Sequence, residues 1–217
     1  LREHPYPVPP PRHPQTPIRM NNYHYIIAGL PDLLPDFTQS GHFSYSGISE
    51  AVREQLSPAD RRAVDWLEAG ADSSILCGHF YRAAARQRSR FIRCWYGLDR
   101  MIRNSQVRFL ASKEGIDPEK YIVGETDSRD EEAWPVLQQI FRTEDLLERE
   151  HALDRYRWDR ITELTTFHYF DMDVILGFLA KAMIVGRWSS LDRDKGAELF
   201  RRYVDEVRGT FKGVDFN

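Results

Sequence analysis

From Ser57 onward, apolar residues recur at three- and four-residue intervals, the period of one face of an α-helix. Between Ser57 and Gly70 the signals agree: Ser57 can cap, Pro58 suits the first helical position, Asp60 completes a capping-box-like pattern and Gly70 offers a stop. The longest predicted helix carries Phe91, Trp95, Leu98, Ile102 and Phe109 on one stripe and ends at Gly115, before the turn IDPEKYI. Ser128 with Glu131 forms a further cap, and Pro135 falls near the start of a helix bearing Val136, Leu137, Ile140 and Phe141. A stretch from about Thr143 to Leu164 sets Leu147, His151, Trp158 and Ile161 on one face, with Leu146, Leu153 and Leu164 beside it. The last helix, about Asp194 to Arg208, is expected to bury Phe200, Tyr203, Val204 and Val207.

One segment breaks the amphipathic pattern. In FHYFDMDVILGFLAKAMIVGRW, residues 167–188, the only side chain between Val174 and Val185 that is neither apolar nor glycine is Lys181. A bilayer-spanning helix needs roughly 20 consecutive apolar residues. This run is shorter, holds a lysine and is fenced by Asp171, Asp173 and Arg187, so it reads as a central helix surrounded by others. Gly177, Lys181 and Trp188 share one narrow sector of that helix. A lysine there must snorkel along the groove to water or pair with a carboxylate, because an unpaired buried ammonium is costly. Lys181, Arg187 and Trp188 are kept as candidate partner contacts.

Upstream, NNYHYIIAGLPDLLPDF fits a short strand or a buried helix, and periodicity does not separate the two over so few positions. Only short segments invite a strand, none is paired with a convincing hairpin turn, and no repeat of 20 to 50 residues is found. The expectation is an all-α fold, an irregular helical bundle. Residues 1–19 hold seven of the 12 prolines and read as a disordered extension before Met20, with a polyproline ligand as the functional alternative. Residues 20–217 read as a single helical domain, with two lobes meeting near 115–135.

The net charge of −3 gives no global pull toward nucleic acid or an anionic surface, so any basic site must be local. Two cysteines without CxxC spacing argue against a disulfide scaffold or zinc site and fit a reducing, intracellular location. Neither a GxxxxGK[ST] loop nor a GxGxxG turn occurs. Cys77 and His79 would point to different faces of a helix, which favours core packing over a catalytic dyad. His168, Asp171 and Asp173 are ligand types without a known metal spacing, and helix capping accounts for them better than a small metalloenzyme site. Asp127, Asp130, Glu131 and Glu132 read as a solvated acidic loop.

The strongest local charge feature is an arginine-rich stretch. Arg82, Arg86, Arg88, Arg90, Arg93, Arg100, Arg103 and Arg108 stand against a single acid, Asp99. Arg82, Arg86, Arg90 and Arg93 fall on one helical stripe that could meet an acidic protein surface or phosphate. A solvated face is the simplest account, in a chain with 25 arginines and 5 lysines. A protein partner and an RNA-binding helical module are the functional alternatives.

Three stretches carry a resemblance. MNNYHYIIAGLPDL, RNSQVRFLASKEGIDPEKYIVGE and LLEREHALDRYRWDRITELTTFHYFDMDVILGFLAKAMIVGRWSSLDRDKGAELF closely resemble an uncharacterised bacterial family encoded alongside V-type ATP synthase subunits. That family is in turn similar to the C-type subunit of V- and A-type rotary ATPases, called d in eukaryotes, which seats the central stalk on the membrane ring. Here LDRMIRNSQVRFLASKEGIDPE resembles its D-x-x-N-hydrophobic helix, and EREHALDRYRWDRI its E-x-x-LD-x-x-Y pattern. Asp99 and Asn104 stand further apart than in that pattern, and the chain is much shorter than a full subunit of that type. The resemblance implies a non-catalytic helical subunit or assembly factor of a V/A-type rotary ATP synthase. Its partners would be stalk and membrane-ring subunits, and it would lie in the cytoplasm, peripheral on the inner face of the membrane through those partners. Such a role needs no cofactor, metal or catalytic side chain.

Overall fold

The segment 172–189 is the helix around which the others are arranged. In the computed structural model, which describes residues 22–37, 43–124, 128–191 and 201–204, it is α8, Met172–Ser189. Asp171 caps it by accepting from the amides of Asp173 (3.0 Å) and Val174 (3.2 Å), which satisfies donors the helix itself cannot use. Ile175, Leu176, Leu179, Ala180 and Val185 are all fully enclosed. Five other helices supply the enclosure: α1 (Tyr23–Ala28), α2 (Tyr45–Gln55), α3 (Pro58–Ala69), α5 (Arg90–Glu114) and α7 (Leu146–Thr165). No helix among the described residues is long and apolar enough to cross a membrane.

The described residues form helices and no strand, so the fold is all-α. The stretch that periodicity left open, Tyr23–Ala28, is helical, with Ile26 in the core. Ser57 caps α3 as expected: its hydroxyl oxygen accepts from the Asp60 amide at 3.2 Å, and Pro58 opens the helix. The short α4, Gly78–Ala84, leads into α5, the longest helix among the described residues. Gly115 ends α5 in the left-handed region, at φ 67°, where glycine alone pays no steric penalty. Asn104, buried on α5, then pins the chain beyond that turn, since its side-chain amide exchanges two 3.0 Å hydrogen bonds with the backbone of Val123.

Among the described residues two apolar clusters result. The larger gathers α8 with Phe91, Ile92 and Tyr96 of α5 and with Trp158 and Ile161 of α7. The smaller joins Met101, Ile102 and Phe109 of α5 to Ala133, Leu137 and Phe141 of α6 (Ser128–Phe141) and to Leu153 of α7. Phe37 enters the first cluster at φ 63°, a costly backbone setting for a phenylalanine. Its ring is held between those of Trp158, Trp188 and His151.

Several expectations about the helices need correction. Ser128 is itself the first residue of α6, so Asp130, Glu131 and Glu132 are helical and not a loop, with Asp130 buried, while Asp127 lies outside the described residues; Pro135 sits inside the helix and its missing N–H withholds one helical bond. The seventh helix begins at Leu146, capped by Asp145 through the Glu148 amide at 2.9 Å, later than the apolar pattern suggests. Leu146 and Leu147 are exposed, because the first turn of α7 overhangs the cluster that takes Leu153. Of the last predicted helix only 201–204 is described; it is helical, with Tyr203 exposed, while Phe200 and Val207 lie outside the described residues, as do residues 1–21.

Candidate partner-contact surface

The arginine stripe does not lie on one helix. The fourth helix stops at Ala84, and Ser89 begins α5 by accepting from the Ile92 amide at 3.3 Å. The break exposes the carbonyls of Gln87 and Arg88, and the Arg93 guanidinium donates to both, at 2.6 and 2.8 Å. Arg90 is committed as well: it donates to Asp173 (3.0 Å), the Leu164 carbonyl (2.6 Å) and Nε2 of His168 (2.6 Å). A guanidinium only donates, so His168 Nε2 must accept and its Nδ1 carries the proton that meets Asp171. His168, Asp171 and Asp173 thus close the corner where α5, α7 and α8 meet, and each accepts from a protein donor there. Among the described residues no cluster of three such side chains is arranged to hold a metal ion.

Further along α5, Arg103 pairs with Asp99 at 2.9 Å, and the same carboxylate oxygen accepts from the Tyr81 hydroxyl at 2.6 Å. Burial, reinforced by Asp99, pushes the Tyr81 hydroxyl well above the usual tyrosine range. Arg100 reaches the Val123 carbonyl at 3.4 Å. Arg82, Arg86 and Arg88 are the members of the run that face solvent without a side-chain hydrogen bond or ion pair among the described residues.

Lys181, Arg187 and Trp188 lie along the line where α8 packs on α7. Gly177 opens this line: a methyl group there would sit 2.6 Å from Thr165 and 3.4 Å from Ile161, so the two helices meet over a bare backbone. One turn on, the Lys181 ammonium lies 4.8 Å from the centre of the Trp158 ring. Burial lowers the Lys181 pKa, and the nearby Asp159 opposes that only partly. At the far end Asp154 of α7, 2% exposed, accepts from Arg157 (2.9 Å), from the Trp188 indole N–H (2.8 Å) and from Arg187. The pattern-derived sector of Gly177, Lys181 and Trp188 is therefore the α7-facing seam, and Arg187, still half exposed, is the one of the three candidates that reaches outward.

Residues 68–210, more than half of the chain, match the family described as protein of unknown function DUF2764. The chain belongs to this family. The comparisons with curated proteins and with solved structures give no match. In this DUF2764 member the matched stretch holds the whole arginine run, both corner acids and the α7–α8 seam.

Glu68, the first matched residue, anchors a separate polar knot. Its carboxylate accepts from Tyr45 (2.7 Å), Ser49 (2.6 Å) and Arg53 (2.7 Å), beside a cleft of about 840 Å³ that also reaches Phe43, Met183 and Arg187. Burial alone would raise the Glu68 pKa, but the three donors outweigh it and hold the carboxyl below the usual range. A depressed folded pKa stabilises above the unfolded value and is lost as pH falls through the folded one. Glu68→Gln is therefore expected to weaken the protein at neutral pH and to flatten its loss of stability between about pH 5 and pH 3, as read by urea titrations across that window.

Cys77 and His79 do not pack in the core. Both are exposed, because Cys77 lies in the turn between the 3₁₀ turn Ser73–Ile75 and α4. The amides of Phe80 and His79 lower the Cys77 pKa by favouring the thiolate.

Proposed function

We propose that this protein is a non-catalytic helical subunit or assembly factor of a V/A-type rotary ATP synthase, placed between the central stalk and the membrane ring. The observation that supports the reading most is where the polar residues of the two ATPase-like stretches, LDRMIRNSQVRFLASKEGIDPE and EREHALDRYRWDRI, are used. Asn104, in the first, locks the turn after α5 onto that helix, and Asp154, in the second, locks α7 onto α8. Among the described residues no buried side-chain nitrogen or oxygen lacks a hydrogen-bond partner. Residues used in this way hold helices in fixed relation, which suits a part that passes force or sets geometry by close packing. The family membership is compatible with this role; the link to the ATPase rests on the resemblance of those stretches.

Arg82 and Arg86, with Arg88 beside them, are the outward cations from which an acidic stalk or ring partner would take its charge complement. Purifying the native ATP synthase complex from cells tests the reading directly. The chain is expected to travel with the stalk, and Arg82→Glu/Arg86→Glu to reduce the co-purified amount at least tenfold while leaving the melting temperature of the isolated chain unchanged. Absence from the complex, together with normal assembly and ATPase activity in cells lacking the chain, would overturn the proposal.

A further inference from the structure

The turn between α7 and α8 carries three large rings with much of their surface in solvent, of which Phe170 also stacks on His24 at 4.0 Å. Phe167 is 86% exposed, Tyr169 68% and Phe170 55%, although α8 behind them is deeply enclosed. The turn is held firmly. The His168 amide donates to the Thr165 carbonyl at 3.0 Å, its ring is gripped between Asp171 and Arg90, and Asp171 caps α8. Rings fixed outward on such a support are a standing hydrophobic cost unless something covers them.

The α4–α5 turn adjoins this one, because Arg90 reaches across to His168 and Leu164. Its neighbours Arg86 and Arg88 are exposed and carry no side-chain partner among the described residues, whereas the acids at the corner, Asp171 and Asp173, are already taken by the α8 amides, His168 and Arg90. Exposed aromatic rings and uncommitted guanidinium groups therefore share one end of the bundle.

We propose that this end docks onto a bilayer containing anionic phospholipid, with the rings entering the headgroup layer and the arginines meeting lipid phosphates. Aromatic side chains favour that layer, and cations held close to an anionic leaflet add to the binding. The shape favours lipid over a nucleic acid strand. The clefts of about 380 and 840 Å³ are lined by other residues, and the rings stand on a projecting turn, where single-stranded RNA needs a groove with stacking platforms along it. This contact goes beyond the subunit reading and does not rest on it, since it requires only lipid; the two share Arg86 and Arg88, so the vesicle test is run without a partner protein and its failure leaves the stalk reading standing.

The test is co-sedimentation of the full chain with vesicles of phosphatidylcholine alone or mixed equally with phosphatidylglycerol, in the absence of any other protein. Binding is expected to the mixed vesicles and to weaken with salt. Phe167→Ala/Tyr169→Ala, which leaves the Phe170 ring on His24, should reduce it at least tenfold, with the circular dichroism melt unchanged. Arg86→Glu/Arg88→Glu should do likewise, since each cation near such a surface is worth roughly fivefold in affinity. No binding to the mixed vesicles, or binding that both double variants retain, overturns the proposal. So does a short single-stranded RNA, or self-association seen in sedimentation velocity, that depends on the same residues while vesicles are not bound.

Discussion

Asp154→Ala is expected to cost about 3 kcal/mol of unfolding free energy, near the lower end for removing one partner of a buried ion pair. The carboxylate is 2% exposed and gathers Arg157, Arg187 and the Trp188 indole, so its loss strands three donors at the α7–α8 seam. Arg187 softens the penalty because it is half exposed and has Glu150 at 3.6 Å as an alternative partner. The indole has no such escape, and its ring also packs against Phe37 and His151. Urea unfolding followed by tryptophan fluorescence is the measurement, with the midpoint falling and the slope held. A loss below about 0.5 kcal/mol, the range of ordinary surface substitutions, would mean that the seam is not fastened by this residue.

Leu179→Ala should be comparably damaging, at about 2–5 kcal/mol, for a different reason. Leu179 is fully enclosed on α8, so truncation forfeits its transfer from water and leaves a cavity that the surrounding helices can close only in part. Leu110→Ala is the matched control. That side chain is 52% exposed on α5, and the expected change is within about 0.5 kcal/mol. Equal effects at the two positions would contradict the placing of α8 at the centre.

Much of this arrangement is legible in the sequence, and the exceptions share a cause. The all-α class, the enclosed α8, the Ser57 cap and the Gly115 stop follow from local composition, because burial of an all-apolar helix and the chemistry of caps are decided within a few residues. The interruption between α4 and α5 is not visible in propensity: alanine, arginine and glutamine around 82–88 are all strong helix formers. What decides it is Ser89 acting as a cap and Arg93 claiming the freed carbonyls. Asp154 reads as one more charge in DRYRWDR, and its burial depends on Arg187 and Trp188, which meet it only after α7 and α8 have packed. The exposure of Leu146 and Leu147 is the reverse case, an apolar pattern that continues past the end of the surface available to cover it.

The candidate surface follows the same division. The richness in arginine is plain in the sequence, but which guanidinium groups remain outward is set by distant acceptors: Arg90 is claimed by residues more than 70 positions away, while Arg82, Arg86 and Arg88 are left over. The exposed rings at 167–170 carry no periodic signal at all, since they occupy a turn.

The helix α5 contributes to both apolar clusters, with Phe91 and Ile92 gripped at one end and Phe109 at the other. Its 25 residues span about 37 Å without a break. A shaft clamped at two separate bearings cannot tilt at one without displacing the other, so a push on the arginine-bearing tip would be delivered to the α6 side as motion of a single lever.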